Sequence, residues 1–538
     1  MATIAKVPEA AITAWRNVIG PEAVITEGPE IAAAETATFE TTQRIPVIIQ
    51  PGSTEEVAAC VAIANEHRTP IYTVSSGKNW GYGSRVPVKS GCVLMELHRM
   101  NKILEFDEPM GTITVQPGVS FRQVAAFLEE RGSAHFVSAP GTSSRASLIG
   151  NVLDRGWGFG PYSDRFDNCC AMEVVLADGS VINTGFSQFK NCKTAAAGKW
   201  GVGPWFDGMF TQSNLGVVTR MTFFLAPLAP NFTTFVYNVE SYDKIPALID
   251  GLRNLRQMGV VRTNFKVQNF YRILMERQQY PWDVANGNYL LDGAQKKQMK
   301  QKWGIGEWNG FGALYCWSQK QANAEKDLVR KAIGHVVDGL IFLDKRVQTW
   351  SPVLKHWVKW RTGMNLDVCL DRFLVSTRLC GVVKVKGLKG AYWRMRTPPP
   401  TEEVDLDKDR VGFVWVDPVI PLEGQRVKQA MDIIDQTQTE HGFDFNVGLN
   451  CVTERSIFVT GAFVYDRNVE GMDDRVMKAA HALVKNLDES GFPVGRATIA
   501  TMEEVMSRTD PNLRAMQAKI KKALDPNGIL SPGRYELQ

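Results

Sequence analysis

The chain has 538 residues, with Lys+Arg 61 against Asp+Glu 57 and a formal net charge of +4. Hydrophobic residues make up 44% and charged residues 22%, a globular composition that excludes a disordered or collagen-like chain. The near-balanced charge predicts neither nucleic acid nor an anionic membrane as partner.

At roughly 100–200 residues per domain, two or three domains are expected. No apolar run approaches the ~20 residues that span a bilayer. The N-terminal stretch is interrupted by Lys6, Pro8 and Glu9 and lacks the apolar core of a secretory signal, so the chain is expected to start here. Nine cysteines, an odd number without repeating spacing, predict free thiols instead of a disulfide framework. Adjacent Cys169 and Cys170 are poorly placed to bridge one another and read as buried thiols. The expected setting is the cytoplasm, with periplasmic export by another route left open.

From residue 45 to 227, short apolar strands, Gly-rich turns and amphipathic helices alternate. Ser53 and Glu56 have capping-box spacing and precede Val57, Cys60, Val61 and Ile63, spaced as one helix face. Residues 71–74 read as a strand running into SSGKNWGYGS (75–84). Residues 112–115 read as a second strand, Pro117-Gly118 as a turn, and Ser120 with Gln123 as a capping box opening a helix through Leu128. Residues 172–176 and 180–182 flank Asp178-Gly179 and predict a hairpin, because Asp-Gly supplies the positive φ angles of a tight turn.

From about residue 231 to 485 the chain is rich in Trp, Arg and Lys. Helices are predicted over 245–258 and 319–338, and strands over 413–416 and 457–465. The proline-then-acid run 397–410 reads as an exposed loop. A helix over 514–523 and the turn-rich tail DPNGILSPGR (525–534) close the chain.

Four segments put small residues where a ligand can approach main chain: 75–83, 138–151, 155–162 and 210–219. Glycine lets successive N–H groups converge on an anion without Cβ obstruction, and a pyrophosphate needs several such donors. Glycines in any one loop are equally read as tight turns. GxxxxGK[ST] is absent and no GxGxxG opens a helix after the first strand, which disfavours a P-loop NTPase or a Rossmann dehydrogenase. The residues alone thus predict an α/β protein suited to a nucleotide-like ligand. His67, His98, His135, His335, His356, His441 and His481 are spread singly, so no metal is predicted.

VSSGKNWGYGS (74–84), PGVSF (117–121), SAPGTSSRASLIGNVLDRGWGFGPYSDRF (138–166), MEVVLADGSVINTG (172–185), GPWFDGMFTQSNLGVVTRM (203–221) and LDPNGILSPGR (524–534) occur in one order along the chain. In these segments the chain resembles the vanillyl-alcohol oxidase / p-cresol methylhydroxylase family of FAD-dependent oxidoreductases. It leans toward the cresol-type branch, since Ser138-Ala139-Pro140 replaces the Pro-Asp of the vanillyl type. The resemblance implies an α+β fold: a two-subdomain PCMH-type FAD-binding domain plus an α+β cap domain over the isoalloxazine ring. The boundaries it suggests are 1–227 for the first part of the FAD domain, 228–486 for the cap, and 487–538 for a segment returning to the FAD domain.

The resemblance further implies that Ser76, Gly77, Lys78, Asn79 and Gly81 wrap the pyrophosphate, with Pro117 beside them. Ser147, Gly150, Asn151, Asp154, Gly156 and Gly158 would line the other side, Gly216 and Val217 the adenosine portion, and Arg534 the flavin. Family members remove hydride from the benzylic carbon of a para-substituted phenol, giving a quinone methide that goes on to alcohol or carbonyl product. An alkylphenol, a hydroxybenzyl alcohol or a bulkier lignan-like phenol is the implied substrate. Tyr82 falls on the substrate-binding tyrosine and Arg496 on the active-site arginine.

Departures from the pattern leave alternatives open. The usual Tyr-Arg pair is Gly495-Arg496 here, which is expected to open space. Thr142 or a neighbour stands where the vanillyl type has its catalytic Asp. The cap's His-His stretch reads CVTERS (451–456), leaving Glu454 or another cap carboxylate to supply a base. Covalent flavin attachment is open too: Phe413 stands at the vanillyl-type linking His, and Tyr392 is the tyrosine nearest the cresol-type linkage, one position out of register. A non-phenolic alcohol substrate, or a flavin-binding protein without catalysis, are the rival readings. O2 or a c-type cytochrome is the expected electron acceptor, and a homodimer is carried by analogy.

Overall fold

The computed structural model describes residues 7–344, 381, 385–401 and 404–536. Two sheets occupy the N-terminal region. The first orders Val24–Ile25, Ile48–Ile49, Val93–Glu96 and Ile71–Val74, the last three strands parallel. Parallel neighbours need a crossover, and the helix Thr54–Glu66 supplies one. Its N-cap Ser53 accepts from the Glu56 N–H, while the Glu56 carboxylate accepts from the Gly52 N–H, one residue before the cap. Val57, Cys60, Val61 and Ala64 bury against Trp15 and the sheet.

The second sheet is antiparallel throughout, in the order Ile103–Asp107, Thr112–Val115, Val217–Phe224, Cys169–Val175, Val181–Asn183. The hairpin at Asp178-Gly179 forms with Gly179 at φ +84°. Ser120 and Gln123 make the full reciprocal capping box at the helix Phe121–Glu130. The tail helix Pro511–Leu524 leads into a segment that joins the first sheet: the Ile71 N–H donates to Ile529 and the Ser531 N–H to Ile71. The tail therefore extends the first sheet at its Ile71–Val74 edge, opposite the Val24–Ile25 strand.

The third sheet belongs to the middle of the chain. Its antiparallel order is Gly339–Leu343, Asn231–Val239, Trp308–Cys316, Phe265–Asn269, Val447–Cys451, Ser456–Asp466, Val411–Val416, with Val419–Pro421 also pairing Ser456–Asp466. Apolar faces of the helices Ile245–Gln257, Gln319–Ile333, Gly424–Glu440 and Met472–Glu489 bury in one cluster with this sheet. Each fully buried large aliphatic side chain contributes about 1.5–3 kcal/mol, so this face is the cap's main core. The opposite face turns toward the first domain, and strand alternation decides which residues go there. Val414 and Val416 join the helix-side core, whereas Phe413, Trp415 and Asp417 point to the other side and line a cavity.

One expectation is corrected here. The run 397–410, read as an exposed loop, is anchored at its acidic end. Asp405 pairs with Lys78 at 2.7 Å, Asp407 accepts from Trp80 Nε1 at 3.0 Å and Ser84 Oγ at 2.7 Å, and Leu406 is buried. Asp405 and Asp407 are spent on donors of the 75–84 loop and so tie the cap to it. No described helix is long and apolar enough to cross a membrane.

Candidate active site

A cavity of about 530 Å3 lies between the domains. One end is walled by the loop after the strand Ile71–Val74. Gly77 turns there at φ +65°, a conformation that a Cβ disfavours. Ser76 Oγ accepts from the Ser147 N–H at 2.9 Å and ties this loop to the segment carrying Ser147, Gly150 and Asn151. The two segments face one another across the cavity with Pro117, Gly216 and Val217. A Cβ placed on Gly141 would meet nothing within 4 Å, so this wall is open main chain. Small residues and backbone on two sides of an elongated cleft fit a dinucleotide.

Of the residues the resemblance assigns to the cofactor, Ser76, Gly77, Lys78, Asn79, Pro117, Ser147, Gly150, Asn151, Asp154, Gly156, Gly216, Val217 and Arg534 line this cavity. Gly81 and Gly158 lie behind its wall. A Cβ on Gly81 would sit 2.4 Å from Trp415 Cδ1, and the Trp415 N–H donates to the Gly81 carbonyl, so Gly81 lets the cap strand approach. A Cβ on Gly158 would collide with the Arg165 guanidinium at 2.3 Å.

Tyr82, Arg496 and Thr142 also line the cavity. Asp154 is the electrostatic centre of their end. Its Oδ2 accepts from Arg496 Nη2 at 2.5 Å and Asn79 Nδ2 at 3.1 Å, and its Oδ1 from Arg534 Nη2 at 2.9 Å. Burial pushes the Asp154 carboxyl up, but the Arg496 and Arg534 charges and the hydrogen bonds bring it below the ordinary value. Two guanidiniums share one carboxylate, so one positive charge stays in surplus. Arg496 also stacks over the Tyr82 ring, its Cζ 3.9 Å from the centroid.

The Tyr82 hydroxyl donates to Asp417 Oδ2, and Asp417 Oδ1 is buried without a hydrogen-bond partner among the described residues. Burial raises Asp417 to about 7, against the Tyr82 hydrogen bond and the Arg496 and Arg272 charges. A carboxyl poised near neutrality in a cleft is suited to accept a proton. The sequence reading left a base to Glu454 or another cap carboxylate. Glu454 lies on the hairpin turn after Val447–Cys451, 57% exposed and paired with Arg256, outside the cavity lining. Asp417 and Glu276 are the cap carboxylates among the described lining residues, and Asp417 is the one bonded to Tyr82. Its neighbour Pro418 makes it read as a turn residue, but period-two alternation through Phe413 and Trp415 carries the signal that places it.

Tyr392 is likewise outside the lining. Its hydroxyl is bonded to Asp409 at 2.5 Å and its ring packs in an aromatic cluster, while Gly390 and Ala391 line the cavity. No His or Cys is found among the described lining residues, and Phe413 takes part as an aromatic wall. Gly495 opens no space: a Cβ there would lie 2.7 Å from Val419, and the residue does not line the cavity. Tyr72, Lys266, Arg272, Trp415 and Thr460 were not anticipated as lining residues. Among the described residues no group of three or more His, Cys, Asp or Glu is placed to hold a metal; His356 lies outside them.

A two-part α/β unit cradling a dinucleotide cleft, covered by a sheet with one open face, defines an FAD-binding oxidoreductase with a cap. Comparisons with known proteins agree. Residues 45–185 match the family described as FAD binding domain. The chain is 39% identical to 1'-carboxy-chondrochloren decarboxylase of Chondromyces crocatus over 530 residues, 98% of this chain and 97% of that protein. It is 29% identical to the flavoprotein subunit of 4-cresol dehydrogenase (hydroxylating) of Pseudomonas putida, covering 97% and 94%. The crystal structure of p-cresol methylhydroxylase with substrate bound superposes with a TM-score of 0.87 at 27% identity, covering 98% and 97%. The chain belongs to the vanillyl-alcohol oxidase / p-cresol methylhydroxylase family of FAD-dependent oxidoreductases.

Proposed function

We propose that this chain oxidises a para-substituted phenol at its benzylic carbon. The observation that carries the reading is the Tyr82–Asp417 pair at the cavity. The Tyr82 oxygen, having donated its proton toward Asp417, is free to accept from a substrate phenol. The phenol proton then moves through Tyr82 to Asp417, and the phenolate pushes electron density to the para carbon. Loss of hydride from the benzylic carbon attached there leaves a neutral quinone methide, which water attacks to give an alcohol and, after a second oxidation, a carbonyl. Bound FAD supplies the two-electron acceptor for that hydride. The surplus charge of Arg496 and Arg534 over Asp154 stabilises negative charge that develops in the cleft. Ser76, Lys78, Asn79, Ser147, Asn151 and Arg534 would hold the cofactor.

The name of the C. crocatus relative extends the reading to a carboxylated phenol. From the quinone methide, a carboxylate on the carbon next to the benzylic one leaves as CO2. The electrons of its C–C bond form a C=C bond and restore the phenolate.

The electron acceptor is O2 or a c-type cytochrome, which comparison of the two reoxidation rates decides. Seven unpaired cysteines among the described residues support a cytoplasmic setting, and homodimerisation follows by analogy. The central experiment is anaerobic mixing with a 4-alkylphenol and its O-methyl ether. The phenol bleaches the flavin and the ether does not; equal bleaching would overturn the reading in favour of a non-phenolic alcohol oxidase.

A further inference from the structure

Among the described residues, Arg272 on the cap wall of the cavity makes no ion pair, although the charges of Glu276 and Asp417 reach it. Arg272 lies on the short helix Phe270–Leu274, whose N-cap Asn269 accepts from the Arg272 main-chain N–H at 3.1 Å. Its side chain lines the cavity. Among the described residues Nη1 reaches Met275 Sδ, at 3.8 Å, and Nε is buried without a hydrogen-bond partner. Glu276, one turn along, is instead held by Gln268 Nε2 at 3.0 Å. The other cavity arginines near the phenol end, Arg496 and Arg534, share Asp154. A half-buried guanidinium with an unsatisfied Nε and no close ion pair gains when an anion arrives.

The position of Arg272 says which part of a substrate it meets. Trp415 adjoins both Arg272 and the phenol end: the Arg272 Cζ is 5.8 Å from the Trp415 ring centroid, and that centroid is 6.4 Å from the Tyr82 ring. With the hydroxyl held at Tyr82 and Asp417, a para substituent directed along Trp415 would meet Arg272. A guanidinium fork matches a planar carboxylate in bidentate fashion.

We infer that Arg272 is the receptor for a carboxylate on the para side chain of the substrate, so that the enzyme selects acidic phenols. The inference rests on the reading of Tyr82 and Asp417 as the phenol end. It makes side-chain charge the determinant of specificity.

The test uses the FAD-loaded enzyme with 3-(4-hydroxyphenyl)propanoate and its methyl ester as probes, in wild type, Arg272→Gln and Arg272→Lys. Anaerobic flavin reduction is followed by stopped flow and FAD content by absorbance. Wild type is expected to favour the acid, and Arg272→Gln to lose roughly 10- to 100-fold on the acid alone, with Arg272→Lys between. FAD content stays unchanged. Equal losses on acid and ester, an undiminished preference in Arg272→Gln, a wild type that favours the ester, or loss of FAD would each overturn the assignment. If neither probe reduces the wild-type flavin, the oxidation reading fails by itself. Spectral titration of the oxidised flavin then decides this one: tighter binding of acid than ester, abolished in Arg272→Gln, supports the receptor, and equal binding overturns it.

Discussion

The Tyr82 hydroxyl donates to the carboxylate of Asp417, a residue 335 positions further along the chain. The tyrosine belongs to the first domain and the aspartate to the cap, so the contact exists only when the two are assembled. The proposed acid–base chemistry therefore depends on cap packing, not on the FAD domain alone.

Asp417→Asn removes the proton acceptor while keeping the shape of the side chain. Flavin reduction by a 4-alkylphenol is expected to fall about 100- to 10,000-fold, the usual worth of a positioned base. In wild type the reduction rate should rise with pH through about 7, because only ionised Asp417 accepts a proton. The variant should lose that step. A stopped-flow pH series checks both.

The same carboxyl makes a stability prediction. Its folded value is raised above the ordinary carboxylate range, so its contribution is fully present below about pH 4 and is lost as pH rises through about 7. Asp417→Asn should therefore gain melting temperature over wild type at pH 8, with the gap closing by pH 5. Thermal melts at the two pH values measure this.

Tyr82→Phe deletes the relay and leaves Asp417 without its donor. The hydrogen bond lowers the Asp417 value, so its loss moves the titration upward. Reduction should slow by roughly 10- to 100-fold, and the residual rate should titrate above pH 7. FAD content should not change. A kinetic pH profile with cofactor absorbance tests the pair of effects.

Asp154→Ala strands two buried guanidiniums. Breaking a buried pair costs about 3–5 kcal/mol, so the variant should melt well below wild type and retain FAD poorly. The carboxyl sits below its ordinary value, so in wild type this stabilisation is present above about pH 4 and lost as pH falls below that. Wild type and variant should converge in acid melts.

Acid precipitation of the purified enzyme should leave yellow FAD in the supernatant, and Tyr392→Phe should not alter that result. The Tyr392 hydroxyl is engaged by Asp409, and the cavity-lining neighbour is Ala391. A yellow pellet in wild type that turns colourless in Tyr392→Phe would show attachment at this tyrosine.

Local features were legible in the chain. The strands Ile71–Val74 and Thr112–Val115 and the capping box at Ser120 follow from propensity, alternation and hydrogen bonds closed within four residues. The glycine-rich segments announced backbone that approaches a ligand, and most of their residues do line the cleft. Asp417, Arg272 and the true surroundings of Gly495 and Tyr392 were not legible. Their roles depend on which face of a cap element turns toward the first domain, and on neighbours hundreds of residues away. What the sequence by itself determined is the set of turns, caps and apolar faces, because these are short-range. The tertiary structure alone decided which carboxylate meets Tyr82 and which guanidiniums share Asp154, because burial and charge pairing arise only between distant segments once they pack.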